Sequence, residues 1–194
     1  MIITIARQCG CSAVNVGKLL AEHYNIPFYT RKNLLEMSRK QGLLDEMESF
    51  FDERPVDELL FAMSSFGETH CTQTQKPLST LTNMIGNENC VVIGRCGNYI
   101  FRQRPDLVSV FLKGDKPQRL ANIAAEQQIS LDAAKEFVEQ TDDCREAYHK
   151  YYTELTWGNA DDYDLCLDCL RLGVENTAHV IEEYISACGV NIID

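Results

Sequence analysis

Five short apolar runs, spaced by stretches of helical periodicity, constrain this chain more than any other feature. They are Ile2 to Ala6, Asn25 to Thr30 (NIPFYT), Cys90 to Gly94 (CVVIG), Leu107 to Gly114 (LVSVFLKG) and Tyr163 to Cys169 (YDLCLDC). Continuous apolar runs of this length, rich in β-branched residues, suit strands buried on both faces. Their alternation with helices implies an α/β fold with a parallel sheet covered on both sides. The helical segments are Val14 to Tyr24, Arg31 to Gly42, Val56 to Glu68, Lys76 to Glu88, 97–103, a segment opened by Lys116-Pro117, a long one capped by Ser130, and a last one from Val174. Pro in a first turn and Ser at an N-cap are both signals of a helix start.

In such sheets a ligand binds beyond the carboxyl ends of the strands. The residues there are Arg7 to Ser12, Thr30-Arg31, Gly94 to Asn98, Lys113-Gly114 and Cys169 to Arg171. Arginines recur among them, and guanidinium groups converging on one sheet edge make an anion site.

The first of these loops lies in IARQCGCSAVNVGKLL, residues 5 to 20. A strand, a small-residue turn and a helix suggest a phosphate loop, and Gly17-Lys18 resembles the end of a G-x4-G-K-[S/T] motif. The spacing does not fit: six residues separate Gly10 from Gly17, and Leu19 stands where a Mg²⁺-binding hydroxyl belongs.

Composition narrows the function classes. A chain of 194 residues suffices for one domain with a sizeable core and an inserted subdomain. A net charge of −11 argues against a broad nucleic-acid footprint and against anionic membranes, while a local arginine cluster can still hold a small anion. No apolar run spans a bilayer, and Met1 leads straight into a strand pattern without a signal peptide, so a cytoplasmic location is expected. Nine cysteines, an odd number without framework spacing, read as reduced thiols. Cys9, Cys11, Cys96 and Cys169 fall at one sheet edge. They read first as small residues filling tight turns, the alternative being a redox-sensitive or metal-capturing cluster. Cys166 and Cys169, three apart on a strand, point to opposite faces and are not expected to hold zinc. His23, His70, His149 and His179 lack metal-site spacing. YHKYYTELTW (148–157) either packs against the core or stacks a base. The acidic run LDEMESFFDERPVDE (44–58) reads as a solvated helix face and turn.

Three segments together resemble the cytidylate-kinase-like family, relatives of bacterial CMP kinase among the P-loop nucleoside monophosphate kinases. IITIARQCGCSAVNVGKLLAEHYNIPFY is similar to the family opening. VVIGRCGNYIFRQRPDLVSVFL is similar to its V-I-V-G-R segment and following strand. DDCREAYHKYYTELTWGNADDYDLCLDCLRLG is similar to its D-x-x-R, Y-Y-K-Y-Y-T, W-G and Y-D-L run. The resemblance implies a three-layer P-loop kinase fold with strand order 2-3-1-4-5. Residues 1–30, 90–114 and 151–194 would form the core, 31–89 a helical insert that receives a nucleoside monophosphate, and 115–150 a helical lid. By the same resemblance Gly10, Cys11, Ser12 and Ala13 would cradle a donor phosphate. Arg31, Arg39 and Arg95 would hold the acceptor phosphate, with Asp168 near a family Asn or Asp. Arg145, with Arg95, would act on the transferring phosphoryl group. ATP and Mg²⁺ are the implied cofactors of an active enzyme, small nucleotides the implied partners, and CMP or dCMP the first acceptors.

The departures weigh against catalysis. Ala13 stands where CMP kinases carry the loop lysine, Val14 and Asn15 replace two hydroxyl residues, Thr30 replaces an Asp, and Cys96 follows Arg95 in place of another Asp. Lys18 reads as an exposed helix lysine; Lys32 and Lys113, which follow strands, are slightly better candidates for the missing cation. Phosphoryl transfer depends on positioning and charge neutralisation. Loss of one strong electrostatic donor costs about 2–4 kcal/mol of barrier. Three readings follow: a nucleoside monophosphate kinase, a non-catalytic nucleotide sensor or interaction protein that keeps the fold and the arginines, or a kinase of another small molecule.

Overall fold

The structure, a computed structural model, describes residues 1–51 and 68–192. The helix expected over Val56 to Glu68 lies outside these residues, apart from Glu68 itself. The five expected strands form one parallel sheet in the order β2-β3-β1-β4-β5. They are β1 (Ile2–Arg7), β2 (Phe28–Tyr29), β3 (Cys90–Ile93), β4 (Leu107–Lys113) and β5 (Leu165–Asp168). β1 is central, running alongside β3 from Ile2↔Cys90 to Ile5↔Ile93 and alongside β4 from Ile2↔Leu107 to Arg7↔Leu112. All four residues of β3 are buried, as a strand covered on both faces requires.

Helices cover both faces. On one, α1 (Ala13–Tyr24) and the C-terminal helix α9 (Val174–Ala187) pack Val16, Leu20, Ile181 and Ile185 onto Ile3, Ile5, Val91 and Val110. Gly17 lets α1 approach the sheet, because a Cβ there would lie 2.6 Å from Phe28 Cε2 and 2.9 Å from Ile93 Cδ1. It is a packing glycine, and Lys18 beside it is exposed. On the other face, α2 (Arg31–Lys40), α3 (Leu44–Phe51), α4 (Glu68–Ile85) and α7 (Leu131–Thr153) enclose Ile2, Cys90 and Val92 with Leu34, Met47, Phe50, Phe51, Leu81, Tyr148 and Tyr152.

Two local expectations change. Met47, Phe50 and Phe51 are fully buried, so the run at 44–51 forms a core helix, with Asp45 exposed; the rest of that run lies outside the described residues. α4 starts at Glu68 and not at Lys76, which places Pro77 inside the helix. That proline costs a backbone hydrogen bond, and burial of Leu78, Leu81 and Ile85 offsets it.

Beyond β4, α6 (Lys116–Gln127) and the first half of α7 form a hairpin closed by Ile123, Ala134 and Val138. Ser130 caps α7, accepting from Ala133 N at 3.2 Å. α7 runs unbroken across residue 150, its second half carrying the aromatic run into the core: Tyr148 and Tyr152 lie 5.8 and 5.1 Å from Phe50. Trp157 lies 5.3 Å from Phe111. The rings of YHKYYTELTW therefore pack. Short helices α5 (Gly97–Ile100) and α8 (Cys169–Leu172) follow β3 and β5. No helix among the described residues is long and apolar enough to cross a membrane.

Candidate functional site

The loop after β1 turns sharply into α1. Gly10 has φ +82°, and a Cβ on it would lie 2.6 Å from the Arg119 carbonyl oxygen. Ser12, left-handed at φ 48°, is the N-cap of α1 and makes no side-chain cap. Among the described residues, the N–H groups of Gly10, Cys11, Ser12 and Ala13 meet no acceptor. Clustered backbone donors at a helix N-terminus are the elements of an anion cradle.

The loop is clamped from behind by the α6–α7 hairpin. Cys9 N donates to Asp142 Oδ1 at 2.7 Å, and Asn122 Nδ2 donates to the Gly10 carbonyl at 3.0 Å. Arg119, 6% exposed, donates to Asp142 Oδ2 at 2.6 Å, to the Gly114 carbonyl at 3.1 Å and to the Cys9 carbonyl at 3.3 Å. A buried guanidinium needs such a set of partners. Neither Arg119 nor Asp142 is a site residue in the sequence reading, although Asp142 is the Asp of the D-x-x-R segment that ends at Arg145; nothing in the sequence pairs it with Arg119.

Beside the loop, at the carboxyl ends of β1 and β3, lies a cavity of about 40 Å³. Its lining includes Arg7, Arg95, Arg145, Tyr148 and His149. Gly94, Arg95 and Cys96 are left-handed in succession, with φ of 71°, 57° and 54°. Such a run of left-handed residues, two of them not glycine, is backbone strain of the kind that gathers at functional sites. It turns Arg95 inward, where Nη1 donates to the Phe50 carbonyl at 2.9 Å and Cζ lies 5.1 Å from the Tyr148 ring centre. Tyr148 OH donates to the same carbonyl at 2.8 Å. Phe50 thus offers its carbonyl to both side chains. Arg145 Nη1 reaches the Arg7 carbonyl at 3.4 Å and Asp142 Oδ1 at 3.9 Å, while its buried Nε has no partner among the described residues.

Of the residues singled out in the sequence, Arg95 and Arg145 meet in this cavity, and Gly10 to Ala13 form the neighbouring loop. Arg31, exposed at the start of α2, donates from Nε to the Phe51 carbonyl and does not line the cavity. Arg39 is exposed in the last turn of α2. Asp168, at the end of β5, accepts from Arg171 N at 3.1 Å and caps α8. Lys18, Lys32 and Lys113 are exposed and do not line the cavity. Arg7 and His149 are its unassigned members. Arg7 had a signal, standing at a strand end; His149 had none, being one buried histidine on an aromatic helix face.

The four edge cysteines divide among three parts of the core. Cys9 packs with α6 and α7, Cys96 with the α2–α4 face, and Cys11 with Cys169 on the α1 face. Burial pushes Cys9 up and Cys96 up to about 12, which leaves both as unreactive thiols. Hydrogen bonding to Cys169, with burial, raises Cys11; the same bond lowers Cys169. Among the described residues no three His, Cys, Asp or Glu side chains come together as a metal site.

The model of the cytidylate kinase-like family matches residues 2–170. No curated protein matches the chain. A crystal structure of an uncharacterized protein from Eubacterium ventriosum is 25% identical, with a TM-score of 0.75, over 96% of this chain and 98% of that one. Shikimate kinase from Acinetobacter baumannii, in complex with shikimate, shares the fold at 15% identity and a TM-score of 0.52, over 98% of this chain and 95% of that one.

Proposed function

The chain belongs to the cytidylate kinase-like family, and on that premise we propose that it transfers a phosphoryl group from ATP to a nucleoside monophosphate, CMP or dCMP first. The observation that carries this reading is the convergence of Arg7, Arg95 and Arg145 on one cavity beside the loop of unpaired amides. In this reading the amides of Gly10 to Ala13 hold the donor phosphates. Arg95 and Arg145 engage the acceptor phosphate and the group in transfer, with Arg7 between them. Residues 31–89 receive the nucleoside, Arg31 and Arg39 flanking it, and Asp168 borders the site from β5. Residues 115–150 close over the nucleotides and exclude water.

The cofactors fit unequally. The donor amides suit the phosphates of ATP, which supplies the group to be transferred. For Mg²⁺, the hydroxyl positions are Val14 and Asn15, and the described residues bring no carboxylate cluster together. No step is assigned to the metal. Chemistry here rests on guanidinium groups and backbone donors acting on developing negative charge.

A second reading, a nucleotide sensor without turnover, is favoured by Ala13, which is buried where a lysine would neutralise the donor phosphates. A coupled ADP-release assay across the nucleoside monophosphates, run beside calorimetric titration of ATP and CMP, separates the two. The kinase reading predicts ADP release with CMP or dCMP. It also predicts that Arg145→Ala lowers turnover about 100-fold while CMP affinity changes far less. Binding without ADP release from any acceptor leaves the sensor reading; the absence of both overturns the assignment.

A further inference from the structure

We propose that His149 is a ligand-contacting residue of the arginine cavity, its Nε2 hydrogen-bonding an oxygen of a bound phosphate monoester so that anion uptake is coupled to imidazole protonation. This deepens the nucleotide reading and rests on it for the identity of the ligand, but the anion site itself is independent of that reading.

The first observation is an unmet bond. His149 is 3% exposed and lines the cavity, and among the described residues its Nε2 has no hydrogen-bond partner. Arg145 Nε, on the same helix and lining the same cavity, is in the same condition. A buried nitrogen left without a partner costs about 1–3 kcal/mol. Two side chains bearing that cost around one cavity point to a ligand that completes both bonds.

The second observation is the charge around the ring. Arg7 faces the cavity from β1, Arg95 and Cys96 from the turn after β3, and Cys144, Arg145 and Tyr148 from α7. Among the described residues no carboxylate lines it. Asp162, in the short 3-10 turn at Ala160–Asp162, is the acidic group that acts on the imidazole. Burial holds the imidazole down to about 4, with Asp162 opposing weakly, so the ring is neutral at pH 7. Three guanidinium groups line the same cavity and draw an anion into it. A doubly charged oxyanion hydrogen-bonded to Nε2 favours the imidazolium and draws a proton onto the ring.

The third observation is size. Allowing about 10–15 Å³ for one water, a cavity of about 40 Å³ admits some three water-sized groups. That suits the oxygens of a phosphate and is too small for a nucleobase, which must lie outside.

Sulfate is the probe, because unlike phosphate it does not titrate between pH 3 and 8, a range that begins below the midpoint of the free imidazole. Its affinity is measured by calorimetry across that range, and the His149 imidazole is followed by NMR on the wild-type protein, assigned by sequence. Saturating sulfate is expected to raise the His149 titration midpoint by at least one pH unit. Sulfate affinity is then expected to fall about tenfold as pH rises, that factor being the equivalent of one unit. His149→Gln keeps a donor without a titrating group and should flatten this dependence; His149→Phe should weaken binding at every pH. A midpoint unmoved at saturation, or a wild-type pH profile in His149→Gln, overturns the proposal, as does the absence of sulfate binding. Sulfate binding with the His149 response, but no binding of CMP or ATP, upholds the anion site and overturns the nucleotide reading instead.

Discussion

Gly94 decides how the arginines are aimed. Its φ is +71°, and a Cβ there would collide with Arg7 Nη1. Gly94→Ala should cost about 1–2 kcal/mol of stability, the usual penalty of a left-handed non-glycine residue, and push the Arg7 guanidinium out of place. Urea unfolding together with sulfate titration checks this: weaker anion binding in a folded variant is expected, and unchanged binding would mean that Arg7 takes no part. Arg95 and Arg145 were legible in the sequence because each stands in a stretch that resembles the family pattern. Arg7 was visible as a strand-end residue, but spacing does not say which of several loop arginines turn inward. His149 was not legible, since its meaning lies in a nitrogen unpaired among the described residues and in a cavity shared with three arginines, and both are properties of packing.

At the scale of elements, α7 joins two regions. Its N-terminal half pairs with α6, and its C-terminal half brings Tyr148, His149 and Tyr152 into the core. Asp142, between them, holds the loop after β1 through Cys9 N and Arg119. If 115–150 is a lid, opening must break this clamp. Asp142→Asn removes the negative partner of a buried guanidinium, a change that costs about 3 kcal/mol. Hydrogen exchange should then be faster in α6 and at the Cys9 amide, and saturating ATP with CMP should slow it in the wild type. Identical protection in 115–150 with and without both nucleotides would mean a rigid hairpin and no lid. The strands and most helices were legible because their apolar runs and caps are local. α3 was misjudged because its acidic residues obscured the stripe Met47, Phe50, Phe51, whose spacing marks a buried helix face. The early start of α4 was hidden by Pro77, a residue that more often opens a helix than sits inside one.

On the scale of the whole molecule, a chain of net charge −11 concentrates cations in one cavity of a parallel sheet. The parallel sheet and the location of the ligand edge follow from alternating strands and helices, so both were readable from the pattern, whereas the strand order was readable only through the family resemblance. The clamp of Arg119 and Asp142 was not, because an ion pair between two helices leaves no periodic trace. The account rests on the claim that this cavity takes the phosphate of a nucleoside monophosphate. The most direct test is a crystal structure of the protein with CMP. It should find the phosphate oxygens within hydrogen-bond distance of Arg7, Arg95 and Arg145, with the base outside the cavity. A phosphate bound elsewhere, with the three guanidinium groups unengaged, would contradict the account.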